Sequence, residues 1–268
     1  MSMTRLFHVN AFSQYPFGGN PAVVVLGPER PTAELQAMAA EFNLSETAFL
    51  TPLGTAHYQL RWFTPALEVD LCGHGTLAAA HAIWESGLAT VDEVLRFETR
   101  SGVLTAVREG DWIWLDFPRI PLGALTLDSA YAAALGCQPL QTLAAGAKFL
   151  MELGSEEKVR ALKPDFHALR ALPGRGLMVT APSSSAEYDF VSRYFAPWVG
   201  VNEDPVTGSN HCALVPFWAE RLGKTQLRAR QLSARSGELR LRLAEERVQM
   251  AGKALTLWQG EWLLPPAK

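Results

Sequence analysis

The chain has 268 residues, 48% of them hydrophobic, with 24 Lys and Arg against 27 Asp and Glu for a formal net charge of −3. That apolar content excludes a disordered chain, and the lack of any basic block excludes non-specific nucleic-acid binding. No apolar run reaches the roughly 20 residues of a membrane span, so neither nucleic acid nor membrane is expected as a partner. The N-terminal Met1-Ser-Met-Thr-Arg-Leu-Phe-His8 lacks the apolar stretch of a signal peptide, and Cys72, Cys137 and Cys212 are too few and too widely spaced for a disulfide framework. A cytoplasmic protein is the expectation.

In chain order, Arg5–Ala11 and Ala22–Leu26 have strand composition, and Thr32 is placed to cap a helix running to about Phe42. Strands follow at Thr47–Leu50 and Tyr58–Phe63. Leu77–Glu85 is apolar nearly all round, the pattern of a helix buried on every side. Hairpin turns are expected at Glu98–Gly102 and Arg108–Asp111, with a strand at Trp112–Phe117. Pro118–Gly123 reads as a linker. It divides the chain into an N-terminal domain over 1–118, completed by a C-terminal strand at about 257–268, and a C-terminal domain over 119–256. Beyond it, helices are expected at Ser129–Leu135, Glu156–Leu162 and Phe166–Ala171, and strands at Gly176–Thr180 and Tyr188–Phe195. A second buried helix follows Ser209, then short strands to the end.

The chain also repeats. Arg61-Trp-Phe-Thr-Pro65 is matched by Arg193-Tyr-Phe-Ala-Pro197, and Arg100-Ser-Gly-Val-Leu104 by Arg235-Ser-Gly-Glu-Leu239, at offsets of 132 and 135 residues. Between them each half has a Gly loop leading into an apolar helix with a Trp. Duplication makes each half α+β, a curled sheet around one apolar helix.

A helix N-terminus leaves N–H groups unpaired and carries partial positive charge, so two Gly-rich helix starts favour a small carboxylate ligand in a cleft between the halves. His74 stands between two glycines at the first of these starts. Asp204 precedes the second, where Ser209 reads first as an N-cap. Glu46 enters an apolar strand, an environment that raises a carboxyl pKa towards that of a general acid/base. Its counterpart stretch, Thr180–Ser185, holds no acid, which implies one base and not a symmetric pair. The C-x-H spacing of Cys72 and His74 and the adjacent His211 and Cys212 match no usual zinc pattern, so no metal is expected.

Phe17-Gly-Gly-Asn-Pro-Ala-Val-Val24, Asn43-Leu-Ser-Glu-Thr-Ala-Phe49, Arg61-x-Phe-Thr-Pro-x-x-Glu-Val-x-Leu-Cys-Gly-His-Gly-Thr76 and Glu203-Asp-Pro-Val-Thr-Gly-Ser209 resemble the PhzF family. These are phenazine biosynthesis-like isomerases within the diaminopimelate epimerase-like fold. The resemblance implies two pseudo-symmetric domains, a homodimer, and an isomerase that uses no cofactor or metal. It implies a catalytic glutamate at Glu46 and substrate-positioning roles for His74, Asp204 and Ser209. Backbone of Gly73, Gly75, Thr76 and Gly208 would hold the carboxylate. Related epimerases use two opposed cysteines. Cys72 resembles the first, whereas Asp204 stands near the place of the second and Cys212 lies further into its helix. Many relatives carry Ala at the position of Asn210. A two-base epimerase using Cys72, and a small-ligand-binding protein without chemistry, are the alternatives.

Overall fold

The computed structural model describes residues 4–263. They form two compact units, one made of the residues up to Asp116 with those from Ala251 onward, the other of Phe117–Met250. The first holds β1 (Thr4–Ala11), β2 (Asn20–Leu26), α1 (Thr32–Phe42), β3 (Thr47–Gly54), β4 (His57–Phe63) and β5 (Glu68–Val69). Then come α2 (Gly73–Glu85), β6 (Leu95–Thr99), β7 (Gly102–Glu109) and β8 (Trp112–Pro118). The second holds β9 (Leu122–Ala124), α3 (Ser129–Leu135), β10 (Gln141–Ala145), β11 (Lys148–Glu152), α4 (Glu156–Ala161) and α5 (Phe166–Ala171). It continues with β12 (Leu177–Pro182), β13 (Phe190–Ala196), β14 (Val201–Glu203), α6 (Gly208–Leu222), β15 (Gln226–Gln231), β16 (Gly237–Ala244) and β17 (Arg247–Gly252). Finally β18 (Ala254–Trp262) returns to the first unit, antiparallel to β1.

The repeat in the sequence is a repeat of sheet topology. In the first unit β18–β1 and β1–β2 pair antiparallel, β2–β3 parallel, β3–β4 antiparallel, β4–β6 parallel and β6–β7 antiparallel. In the second unit β9–β10 and β10–β11 pair antiparallel, β11–β12 parallel, β12–β13 antiparallel, β13–β15 parallel and β15–β16 antiparallel. Each order is the same. Both units therefore have the α+β architecture that the pattern of strands and one apolar helix implies.

Each sheet carries one buried helix. In α2 the run from His74 to Ala80 is buried throughout, and Ala82, Ile83 and Trp84 follow. Small alanines let β1, β2 and β3 come close, while Leu77 and Ile83 fill the remaining space, each stabilising the fold by about 1.5–3 kcal/mol. In α6 the interior Pro216 has no N–H to give the Cys212 carbonyl. Ile120 repairs this, its backbone N–H donating to Cys212 O at 2.9 Å.

Several boundaries differ from the sequence expectations. Thr32 does not cap α1: the cap position is Pro31, and Thr32 Oγ1 instead accepts a 3.0 Å bond from Arg61. The Pro118–Gly123 linker is shorter than expected, since β8 runs through Pro118 and β9 begins at Leu122, leaving Arg119, Ile120 and Pro121 between them. The C-terminal strand occupies Ala254–Trp262, earlier than 257–268, and residues 264–268 of that expectation lie outside the described residues.

One core residue of α6 titrates usefully. His211 is fully buried, and burial, aided by the Lys148 cation, pulls its pKa down to about 4 although a bond to Thr207 O opposes this. Between pH 6.5 and about 4 the unfolded chain binds a proton at this residue that the folded chain does not. Stability is therefore lost as pH falls through that window, by about 3 kcal/mol from this group. His211→Thr keeps an i to i−4 side-chain bond of the kind Thr76 makes to Cys72 O at 2.6 Å. Urea unfolding at pH 7 and pH 4.5 is expected to show a shallower acid loss in that variant than in the natural chain. An unchanged slope would refute the assignment.

Candidate active site

In the first unit, the end of α1 places the acid. Asn43 closes the helix in the left-handed conformation, three residues carry the chain across, and β3 starts at Thr47. Glu46 thus sits at the mouth of a buried strand, its side chain 23% exposed. Burial raises its pKa above the ordinary carboxylate value, while the adjacent Ser45 hydroxyl pulls weakly the other way.

His74, the second residue of α2, lies with Nε2 3.3 Å from Glu46 Oε2. Its other ring nitrogen, Nδ1, is 3.3 Å from Asn20 Nδ2. An amide nitrogen only donates, so Nδ1 accepts and the imidazole proton sits on Nε2, facing the carboxylate. Asn20, from the Gly-Gly-Asn-Pro motif, thereby selects the tautomer that steadies one oxygen of Glu46.

Cys72 caps α2: its Sγ accepts from the Gly75 N–H at 3.3 Å and stands 3.6 Å from His74 Nδ1. The Gly75 position is crowded from the protein side, because a Cβ there would meet Trp62 at 2.8 Å and Cys72 Sγ at 3.0 Å. The Thr76 N–H bonds back to Cys72 O at 3.0 Å. Gly75 and Thr76 therefore use their amides inside the turn and do not offer them to a carboxylate. Of the three amides expected to do so in this unit, the turn leaves that of Gly73. Gly75 is needed for packing, a role the expectation of close ligand approach did not include.

In the second unit Asp204, Gly208 and Ser209 come together at the start of α6. Ser209 is not the cap: that position is Thr207, whose hydroxyl donates to Asp204 Oδ2. Fully buried Gln231 pins the loop, accepting from Thr207 N at 2.9 Å and donating to Asp204 O at 2.8 Å. The residue that sequence patterns missed is Lys148. Its Nζ donates to Ser209 Oγ at 2.8 Å and Asn210 Oδ1 at 3.0 Å. Its signature is that of Glu46, a lone charge entering an apolar strand, here Phe149-Leu-Met151 after an Ala-Gly-Ala turn.

Register also relocates the counterpart of Glu46. Thr47 faces Phe63 and Leu177 faces Phe195, and the two phenylalanines are repeat partners. The counterpart is therefore Gly176, not a residue of Thr180–Ser185. A Cβ on Gly176 would lie 1.9 Å from Tyr194 Oη, so a phenol fills the space that a carboxyl takes in the first unit.

Glu46, Cys72 and His74 present ligand atoms all within 4.8 Å of one another, the spread that a bound metal ion needs. His211 and Cys212 take no part in that group. The C-x-H spacing alone makes no zinc site, but the segment entering β3 supplies Glu46 as a third possible ligand.

Comparison with known proteins gives one consistent result. A family model described as phenazine biosynthesis-like protein matches residues 9–260. An uncharacterized isomerase of Halalkalibacterium halodurans is 46% identical over 266 residues, covering 98% of this chain and all of the relative. An Enterococcus faecalis crystal structure of the PhzF family superposes with a TM-score of 0.92 at 42% identity, over 98% of this chain and 100% of that one. A probable proline racemase from Agrobacterium radiobacter, 15% identical over 98% of this chain and 94% of the other, shares the fold with a TM-score of 0.63.

Proposed function

The chain belongs to the phenazine biosynthesis-like (PhzF) family, and from that premise we propose that it is an isomerase that moves a proton on a small cyclic or amino-acid-like carboxylate. The observation that carries the reading is the pairing of a half-buried Glu46, its pKa raised by burial, with His74, whose Nε2 lies 3.3 Å from the carboxylate. Glu46 takes a proton from carbon, and the electron pair of the broken C–H bond passes into the substrate's conjugated system. The same carboxyl then returns the proton to a different carbon of that system, so atoms and charge balance without a second reagent. His74 steadies one carboxylate oxygen and leaves the other for the proton. Asp204 and Ser209 are the substrate-positioning residues of this reading, and the Gly73 and Gly208 amides its carboxylate donors; fixed donors stabilise the charge that develops as the C–H bond breaks. The protein acts without a cofactor, as a cytoplasmic homodimer.

The test is incorporation of solvent deuterium into small cyclic, amino and aromatic-precursor acids, followed by NMR. A compound that exchanges with the natural chain but not with Glu46→Gln supports the reading. Absence of any Glu46-dependent exchange across the panel supports instead a binding protein without chemistry.

A second reading is favoured by the position of Cys72, whose Sγ lies at the N-terminus of α2, 3.6 Å from His74 Nδ1. It would make Cys72 a base or, with Glu46 and His74, a metal ligand. Cys72→Ser separates the readings. Turnover within about threefold of the natural chain is expected if Cys72 only caps α2, since Ser is itself a good cap. A loss of about a hundredfold or more would assign the thiol a chemical role. If dialysis against a chelator reproduced that loss, the role would be metal binding.

A further inference from the structure

Lys148 is absent from the expected site, yet it touches one of that site's residues. An ammonium group has three N–H donors and no acceptor, so Ser209 Oγ and Asn210 Oδ1 can only accept from it. The Ser209 hydroxyl proton and the Asn210 amide protons must then point away from Lys148. One cation thus makes both neighbours donors on their other side, and of the two Ser209 is the partly exposed one, Asn210 being buried. The Tyr194 ring lies under the ammonium with its centroid 4.9 Å away. Among the described residues Lys148 makes no ion pair, its oxygen partners being a neutral hydroxyl and a neutral amide. The Asp204 carboxylate acts on this cation through its field without forming an ion pair with it, so burial of the charge is only partly offset and an anion beside it relieves the remaining cost.

The internal repeat sharpens the point. β2 and β11 are the strands that pair in parallel with the next, and each opens on a residue that reaches the second position of its unit's buried helix. In the first unit that residue is neutral Asn20, which contacts His74; in the second it is Lys148, which contacts Ser209. A neutral amide is enough to hold the helix start in one unit, so the charge in the other has a further purpose.

We propose that Lys148 is a ligand-positioning residue, which orients the Ser209 hydroxyl as a donor and supplies the positive charge that selects an anionic, carboxylate-class ligand. This rests on the proposed function only for the identity of that ligand as the substrate. Burial lowers the Lys148 pKa to about 8, with Cys212 and Asp204 raising it and Arg175 lowering it further. The charge is present at pH 7 and fades as pH rises above about 8. Of the groups around it, Asp204 accepts from Thr207, and burial with the field of Asp204 holds the Tyr194 phenol neutral throughout this range.

The probes are benzoate and cyclohexanecarboxylate, each compared with its neutral amide, with binding followed by calorimetry at pH 7 and pH 9.5. The acids are expected to bind at least about tenfold tighter than the amides, and to lose about tenfold at the higher pH. Lys148→Met should bind acid and amide alike, with no pH dependence and an unlowered melting temperature, while Lys148→Arg keeps the acid preference. Ser209→Ala should weaken the acids in the natural chain but not in Lys148→Met, the non-additivity expected of two residues acting as one. Should Lys148→Met not fold, the Arg variant and the pH arm still decide. Equal binding of acid and amide by the natural chain, or strictly additive losses, would overturn the proposal. Glu46→Gln should bind the acids normally, so loss of exchange in that variant and loss of binding in Lys148→Met report on separate claims.

Discussion

Glu46→Gln is expected to lower solvent-exchange turnover by about a thousandfold or more while leaving the fold and ligand affinity nearly unchanged. Glutamine has the shape of glutamate, and its Oε1 still accepts from the Nε2–H of His74, so the contact at 3.3 Å survives. What it lacks is any capacity to hold a proton taken from carbon. Removing a half-buried ionisable group leaves thermal stability the same or slightly higher. Glu46→Asp keeps the carboxyl but draws it back by one methylene, and is expected to retain about one part in a hundred of the rate. The natural chain should also show an acid limb in its rate profile. Turnover falls as pH drops through the Glu46 pKa, because a protonated carboxyl accepts nothing. Burial lifts that limb above the ordinary carboxylate range. A Gln variant that exchanges at the natural rate, or an acid limb that survives in it, would remove Glu46 from the chemistry.

The asymmetry behind this prediction was legible in part. The repeated Arg-aromatic-Phe-x-Pro segments mark the two units, because the residues that bind a unit together recur with it. Glu46 stood out since a charge entering an apolar strand has no cheap structural explanation. Lys148 carries the same mark but went unseen, because the short β10–β11 hairpin around Gly146 has too few residues to show a period. Finding that Gly176 is the counterpart of Glu46 needed strand register, which depends on pairing partners far apart in the chain. Ser209 and Thr32 were misjudged as caps for a local reason. Each is a good capping type one or two positions inside its helix, and the cap itself, Thr207 or Pro31, is decided by backbone direction. The amide bonds of Gly75 and Thr76 back to Cys72 are likewise a product of the turn, invisible in a Gly-His-Gly-Thr string.

The largest expected loss of stability comes from Arg193→Met. Arg193 and Glu203 form a two-pronged pair, Nε to Oε1 at 2.7 Å and Nη2 to Oε2 at 2.9 Å, with side chains 11% and 20% exposed. The remaining nitrogen, Nη1, donates to the carbonyls of Val159 and Leu162 at 3.2 and 2.9 Å, closing the end of α4, and the guanidinium lies 4.9 Å above Phe195. Methionine leaves a poorly solvated carboxylate without its partner, takes the side-chain donor from Leu162 O, and leaves Val159 O with only the 3.4 Å bond from Leu162 N, at a cost of about 3–5 kcal/mol. A melting temperature roughly 10 °C lower is the corresponding shift. The repeat supplies an internal control. Arg61 pairs with Glu68 at 2.8 Å in the same two-pronged way and stacks 5.1 Å above Phe63, but Arg100 also reaches Glu68 at 2.7 Å, and the one bond of Arg61 to a helix is to the Thr32 hydroxyl at the start of α1 and not to closing carbonyls. Arg61→Met is therefore expected to cost less than half as much. Arg193→Lys should recover little, since an ammonium cannot span both carboxylate oxygens and both carbonyls. Arg193→Met combined with Glu203→Met should recover more, since no charge is then stranded. Function follows from the position of the pair. Glu203 immediately precedes Asp204, so losing its anchor loosens the loop that Gln231 pins, and hydrogen exchange should rise there first, with protection in the first unit unchanged. Equal losses for Arg61→Met and Arg193→Met, or faster exchange spread evenly over both units, would show that Arg193 has no special hold on that loop.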